Sequence, residues 1–204
     1  MKNYTVIYEP DSMGRPAWAS TPELRRYYDE EWSVPTRDDR TIFARLCLLC
    51  FQAGLTWQCV LEKRPTITAK FRHFDPLQML TLTLGQIMGA GMINNPRKIA
   101  WVLQNAHAYT RLAPGELGNM LWEHAPDAPP RRHLEGAYAV PAYTAASAAL
   151  AQDLREKGFR GVGPTNAYAL MQWCGVVDDN PPGSWRALVA DKNTISEGGL
   201  LLAN

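Results

Sequence analysis

The segment with the most chemistry in its spacing is Lys157-Gly158-Phe159-Arg160-Gly161-Val162-Gly163-Pro164-Thr165-Asn166. Glycines let the backbone take positive φ and come close to a ligand. The amides at the start of a helix opened by Pro164 have no partner within that helix. Together they form a cradle for a phosphate, which grips a nucleic-acid backbone without reading its sequence. The same residues also make an αα-turn that binds nothing, and the spacing alone leaves both readings open. The cysteines are Cys47, Cys50, Cys59 and Cys174. Cys47 and Cys50 have the C-x-x-C spacing of a redox pair or half a metal site, but they fall in an apolar helical run, where cysteine acts as a small buried hydrophobe. His73, His107, His124 and His133 show no spacing for a metal or a triad. Neither a metal nor a cofactor is expected.

The elements that must position these residues are helical almost throughout. From Asp39, read as an N-cap, apolar residues fall at Ile42, Phe43, Leu46, Cys47, Leu49 and Cys50, which predicts a central helix ending near Gly54. Thr56 caps a second helix, expected to stop near Pro65. Asp75-Pro76 and Asn95-Pro96 each read as an N-cap followed by proline at the first helical position. Ile99, Val102, Leu103, Ala106 and Tyr109 mark the buried face of the helix after Asn95. An alanine-rich helix runs from Thr144 to Lys157 and closes at Gly158, and a further one runs from Gly163-Pro164 to Gly175. Only Tyr4 to Tyr8 has the composition of a short strand. Residues 113–143 and 176–204 hold most of the loop signals, and no repeat points to a solenoid.

Composition sets outer limits. The chain has 204 residues, 46% hydrophobic and 20% charged, as expected of a globular protein able to bury a core in one domain or two small lobes. Its apolar runs are far shorter than the roughly 20 residues of a membrane span, and no secretion signal is recognisable at the amino terminus. A cytoplasmic location with reduced thiols is the expectation. A net charge of +1 says little about partners. Arg97-Lys98, Arg131-Arg132 and Lys157 with Arg160 are small basic groups that also suit a solvated face.

Four blocks of the chain carry a family likeness. Tyr27-Tyr28-Asp29-Glu30-Glu31-Trp32-Ser33-Val34-Pro35 is the first, and Phe51-Gln52-Ala53-Gly54-Leu55-Thr56-Trp57 running on to Val60-Leu61-Glu62-Lys63-Arg64 is the second. The third is Gly91 to Ile99 with Asn105 to Tyr109. The fourth is Gly158 to Thr165, continuing through Tyr168 and Met171-Gln172 to Gly175-Val176-Val177-Asp178-Asp179. In order and spacing, from Trp18 to Asp179, they resemble the 3-methyladenine DNA glycosylase I family of base-excision repair proteins. That resemblance implies the all-α fold of the helix-hairpin-helix DNA glycosylases, with two helical lobes around a cleft that receives a base swung out of the duplex. It implies a domain over residues 16–180, an amino-terminal extension over 1–15 and a carboxy-terminal tail over 181–204.

The resemblance also implies site residues. Tyr27 and Trp57 fall on positions that contact or stack on the flipped base, and Trp18 on a nearby aromatic one. Gly54-Leu55 falls where the family inserts an apolar wedge into the gap left by that base. Gly161, Gly163, Thr165, Asn166 and Lys98 fall among contacts to the DNA backbone. Many members of the wider superfamily place an aspartate after the hairpin to stabilise an oxocarbenium-like sugar, and Asp178 or Asp179 is the counterpart. The implied partner is double-stranded DNA, held through its phosphates and the flipped base by a monomer with no membrane attachment.

Two departures from the family stand out. The family ties its termini with zinc on two cysteines and two histidines, whereas Pro16, Tyr28, Asn180 and Ser184 align here, a set unsuited to zinc. The termini are therefore expected to be held by packing, with Trp18, Trp185 and the stretch from Met1 to Arg15 as candidates. The other departure is Leu49, which stands where the family carries a glutamate that hydrogen-bonds the methylated adenine. Three functions remain open: a DNA N-glycosylase with altered base selectivity, a catalytically silent relative that binds distorted duplex, and a retained fold whose pocket serves a small molecule or a protein.

Overall fold

The computed structural model describes residues 2, 3, 5–127 and 139–187. The loop signal at Pro129-Pro130, the Arg131-Arg132 pair, His133 and residues 188–204 lie outside the described residues.

Helix order follows from which segments can bury an apolar face. α1 spans Pro22–Glu30, α2 Asp39–Gln52 and α3 Trp57–Lys70; α4 spans Pro76–Met79, α5 Leu84–Ile87 and α6 Pro96–Tyr109; α7 spans Glu116–Glu123, α8 Ala145–Glu156 and α9 Pro164–Trp173. α2 is central because Ile42, Phe43 and every residue from Leu46 to Phe51 are buried. Each large apolar side chain so buried contributes about 1.5–3 kcal/mol. It packs against α9, α6, α7 and α3. The cap of α2 is Asp38, whose carboxylate accepts from the Thr41 amide at 2.8 Å. Asp39, the residue expected there, instead receives the amides of Gly115 and Gly118, each at 2.7 Å, and so ties α7 to α2.

Two further expectations give way to tertiary packing. α3 does not stop at Pro65 but continues to Lys70 with the proline inside it. Ile67 and Phe71, beyond the proline, are fully buried, and their burial offsets a ring that costs a helix about 3 kcal/mol. Within the stretch expected as loop, α7 forms because Leu117, Met120 and Leu121 share one buried face at helical spacing. The caps at Asp75, Asn95 and Thr56 are as expected: Asp75 accepts from Leu77 and Gln78, Asn95 from Lys98, and Thr56 from Cys59; Thr144, expected as the first residue of its helix, instead caps it by accepting from Ser147.

Strands are a minor part of the described residues. β1 (Lys2–Asn3) pairs antiparallel with β4 (Ala139–Val140), and β2 (Val6–Tyr8) with β3 (Gly14–Pro16). Tyr4, the first residue of the expected strand, lies outside the described residues. The body is helical, and its cleft opens where α1, the turn between α2 and α3, and α9 converge. Among the described residues, no helix is long and apolar enough to cross a membrane.

Candidate active site and nucleic-acid interface

Thr21 accepts from the Leu24 amide and starts α1 so that Leu24 and Tyr27, three residues apart, face the same side. Across from them stand Leu49 and Gln52 of α2, Trp57 of α3, and Ala169 and Gln172 of α9. With Trp18 and Trp32 they enclose a cavity of about 370 Å³, large enough for a small ligand. Tyr27, Leu49, Trp57 and Trp18, the residues implied as a base pocket, therefore line one cavity. The rings brace one another: Tyr27 lies 5.3 Å from Trp57 at 56°, and Trp18 lies 5.6 Å from Trp32 at 72°. Trp173 backs both Tyr27 and Trp57, at 5.3 and 5.0 Å. Such tilted packing fixes the rings before any ligand arrives.

The cavity is electrically neutral. Its walls contain no Asp, Glu, Lys or Arg. Burial pushes the Tyr27 phenol well above its ordinary range, so the hydroxyl stays protonated. The Trp57 Nε1 donor is buried without a partner.

At the cavity rim, α2 ends and Gly54 turns the chain with φ +76°. Leu55 follows, 39% exposed, before Thr56 caps α3 through the Cys59 amide. An exposed leucine on a short turn held at both ends fits a wedge. Lys98 is placed differently from the expectation. It is 6% exposed, and its Nζ donates to the carbonyls of Phe51 and Ala53 at 2.8 and 2.5 Å. Those carbonyls belong to the end of α2, so Lys98 caps the helix that leads into the Gly54-Leu55 turn, and its ammonium is engaged there.

The glycine-rich segment folds as a hairpin between α8 and α9. Gly158 and Gly161 take φ of +96° and +73°. Asn105 of α6 clamps the turn, accepting from the Arg160 amide at 2.7 Å and donating to its carbonyl at 3.1 Å. A side chain at Gly161 would meet Trp101 at 2.7 Å, whereas one at Gly163 would meet nothing within 4 Å. Gly163 is the N-cap of α9 with no side-chain cap, and Thr165 is exposed beside it. Asn166 turns inward and donates to the Gly161 carbonyl at 2.9 Å. Thr165 and Asn166, with Gly54 and Leu55, also line a second cavity of about 390 Å³ that shares Gln52, Leu55, Ala169 and Gln172 with the first. Wedge, hairpin and aromatic cavity thus form one continuous surface.

Comparison with known proteins adds a family to this geometry. The family model for methyladenine glycosylases matches residues 18–187. The chain belongs to that family. It is 35% identical over 178 residues to DNA-3-methyladenine glycosylase 1 of Escherichia coli K12, covering 84% of this chain and 95% of that one. To the DNA-3-methyladenine glycosylase of Haemophilus influenzae it is 34% identical over 160 residues, 76% of this chain and 86% of the relative. A crystal structure of 3-methyladenine DNA glycosylase I superposes with a TM-score of 0.73 at 32% identity, over 81% of this chain and 94% of that one. The helical glycosylase fold follows from both lines.

Within that family frame, neither Asp178 nor Asp179 stands in the wall of the aromatic cavity. Asp179 is 5% exposed and accepts from Tyr168 Oη at 2.5 Å and Gln172 Nε2 at 2.7 Å, both through Oδ2. Asp178 accepts from the amide and side chain of Asn180. Both are engaged by neighbours, which is why the expected direct role at the sugar does not follow from their placement.

The four positions that align with the family's zinc ligands, Pro16, Tyr28, Asn180 and Ser184, offer no thiolate or imidazole and do not fit zinc. An ion-pair cluster does the tying. Arg15 reaches Asp11 at 2.8 Å and Asp29 at 2.7 Å, and Trp185 Nε1 donates to Asp29 at 2.8 Å. Arg186 donates to the carbonyls of Tyr28 and Asp29 at 2.7 and 2.6 Å. Sequence reasoning missed Leu24, Trp32 and Gln172 in the cavity and Asp29 in the clasp. The helical spacing of Thr165, Ala169 and Gln172, one face of the hairpin helix, was the signal available for Gln172.

Proposed function

We propose that this chain is a DNA N-glycosylase of base-excision repair that flips an alkylated purine into the aromatic cavity and hydrolyses its glycosidic bond, with selectivity changed from that of its relatives. The Escherichia coli and Haemophilus influenzae relatives are named as DNA-3-methyladenine glycosylases, and the aromatic walls, the Gly54-Leu55 turn and the hairpin suit the same task here. In the reaction the C1′–N bond breaks and its electron pair leaves with the base. The oxocarbenium-like sugar is captured by water, whose proton passes to the solvent when a cationic base has left and to the departing base when that base was neutral. A purine made cationic by alkylation at a ring nitrogen is already a good leaving group, so for such a base orientation and exclusion of water supply much of what the enzyme must add, whereas a neutral one must also gain a proton as it leaves. Tyr27 and Trp57 hold the base, and Leu55 fills the space it vacates.

The observation that carries the change in selectivity is Leu49, 4% exposed, in a cavity wall without a carboxylate. A cationic base gains nothing electrostatic from that wall, while a neutral or bulkier alkylated purine finds apolar contact. Excision of 3-methyladenine is therefore expected to be slow, and Leu49→Glu to raise it. The gain should not exceed one to two decades in rate, since a hydrogen bond to a charged partner contributes about 1.5–3 kcal/mol. Release of free base from methylated duplex, measured for folded wild type and variant, is the test; a wild type that excises 3-methyladenine efficiently defeats the selectivity claim. The engagement of Asp179 by Tyr168 and Gln172 favours a second reading, a catalytically silent relative that binds damaged duplex. Tight binding to an abasic-site mimic with no release of any base would select it.

A further inference from the structure

α9 links the hairpin to the base cavity. Thr165, Ala169 and Gln172 lie along one face, so Gln172 stands two turns into the helix, where the two cavities share a wall. Its amide is not free to turn. Nε2 donates to Asp179 Oδ2 at 2.7 Å, and the same oxygen accepts from Tyr168 at 2.5 Å. With the amide nitrogen donating to Asp179, the amide oxygen faces away from it. Gln172 keeps 7% of its surface accessible, and that surface opens on the cavities. Among the described residues, no protein donor reaches Oε1. Gln52 and Gln58 line the same cavity, but Gln58 is held by the carboxylate of Glu62 in an exposed pair, and among the described residues Gln172 is the lining amide fixed by a buried carboxylate.

We propose that Gln172 is a specificity-determining residue: with its amide oriented by Asp179, it presents a neutral acceptor that selects purines with an amino group at C6 over those with a carbonyl there. The assignment rests on the cavity being a base site. Gln172 Oε1 accepts from an exocyclic amino group, whereas a C6 carbonyl sets two acceptors against each other and leaves both unpaired. Asp179 and Tyr168 are positioning residues for this preference, acting through the direction in which Gln172 points. This role explains why an aspartate is buried beside α9 without reaching the cavity.

The test uses free bases, so that recognition is separated from catalysis. Binding of 3-methyladenine and of 3-methylhypoxanthine, which differ in the C6 substituent, is followed by quenching of the cavity tryptophans in the full-length protein. Wild type should prefer 3-methyladenine roughly tenfold, the size expected for one hydrogen bond gained against one lost. Gln172→Leu should bring the ratio to about one. Asp179→Ala should bring the ratio toward one, because nothing then fixes which end of the Gln172 amide faces the cavity, whereas Asp179→Asn, whose Oδ1 can still accept from Gln172 Nε2, should keep the wild-type preference, a rescue that mere loosening of the fold does not produce. A wild type that binds neither base or prefers neither, or a folded Gln172→Leu protein with an unchanged ratio, overturns the assignment. A preserved preference in a protein that releases no base from methylated duplex would leave the assignment standing and defeat the glycosylase reading.

Discussion

Lys98 shows how a single residue changes meaning between sequence and structure. In the chain it sits beside Arg97 in a basic pair, the usual mark of a phosphate contact. In the fold its ammonium is buried on the carbonyls of Phe51 and Ala53. Burial pulls its pKa below the ordinary lysine range, with repulsion from Arg97 adding to the shift. A capping role and a phosphate role predict different outcomes for Lys98→Met. If it caps α2, the variant loses about 1.5–3 kcal/mol in urea denaturation, the range for hydrogen bonds to a charged group, while the salt dependence of DNA binding stays as in wild type. If it neutralises a phosphate, the salt slope falls by about one and stability hardly moves. We expect the first result.

At the scale of elements, the hairpin between α8 and α9 is the part that was most legible. Its glycines, the Thr144 cap and Pro164 fix where one helix ends and the next begins, and these signals are local. The cavity was half legible. Tyr27, Leu49 and Trp57 were found by family likeness, whereas Leu24 and Gln172 depend on which face of α1 and α9 turns inward, which only packing decides. α7 and the continuation of α3 through Pro65 escaped for the same reason, since both are held by burial that local propensity does not record. The hairpin also yields a sharper experiment than its sequence allowed. A side chain at Gly161 would collide with Trp101, so any loss of binding there is confounded by damage to the turn. Gly163 is open, with nothing within 4 Å and an ordinary φ of −93°, so Gly163→Val should fold normally. If the amides at the start of α9 hold a phosphate, Gly163→Val weakens duplex binding equally for all sequences and lesions in a titration at fixed salt. Unchanged affinity would reduce the hairpin to a structural turn.

For the molecule as a whole, the question is what joins the chain ends to the body. β2 and β3 bring Arg15 to Asp29 at the end of α1, and Trp185 meets the same carboxylate from the other terminus. Arg15 is nearly buried, its charge reinforced first by Asp29 and then by Asp11. A cluster of this kind spreads the ordering cost of one side chain over several bonds, and it needs no metal. Two consequences separate it from a zinc clasp. A strong chelator should leave the thermal midpoint unchanged. Arg15→Met should lower the unfolding free energy by about 2 kcal/mol, less than for a fully buried pair because Asp29 stays partly open to water. The pH dependence follows the other partner, Asp11. Hydrogen bonds from Arg15 hold Asp11 below its ordinary pKa of 3.8, so its share of the clasp is complete above that value and fades as the pH falls further. Acid unfolding of Arg15→Met should therefore be shallower between pH 4 and pH 2 than that of wild type, on the order of the loss of one titrating contact. One zinc per chain by elemental analysis, with unfolding on its removal, would instead place a metal at the termini and reduce the Arg15 cluster to a bystander.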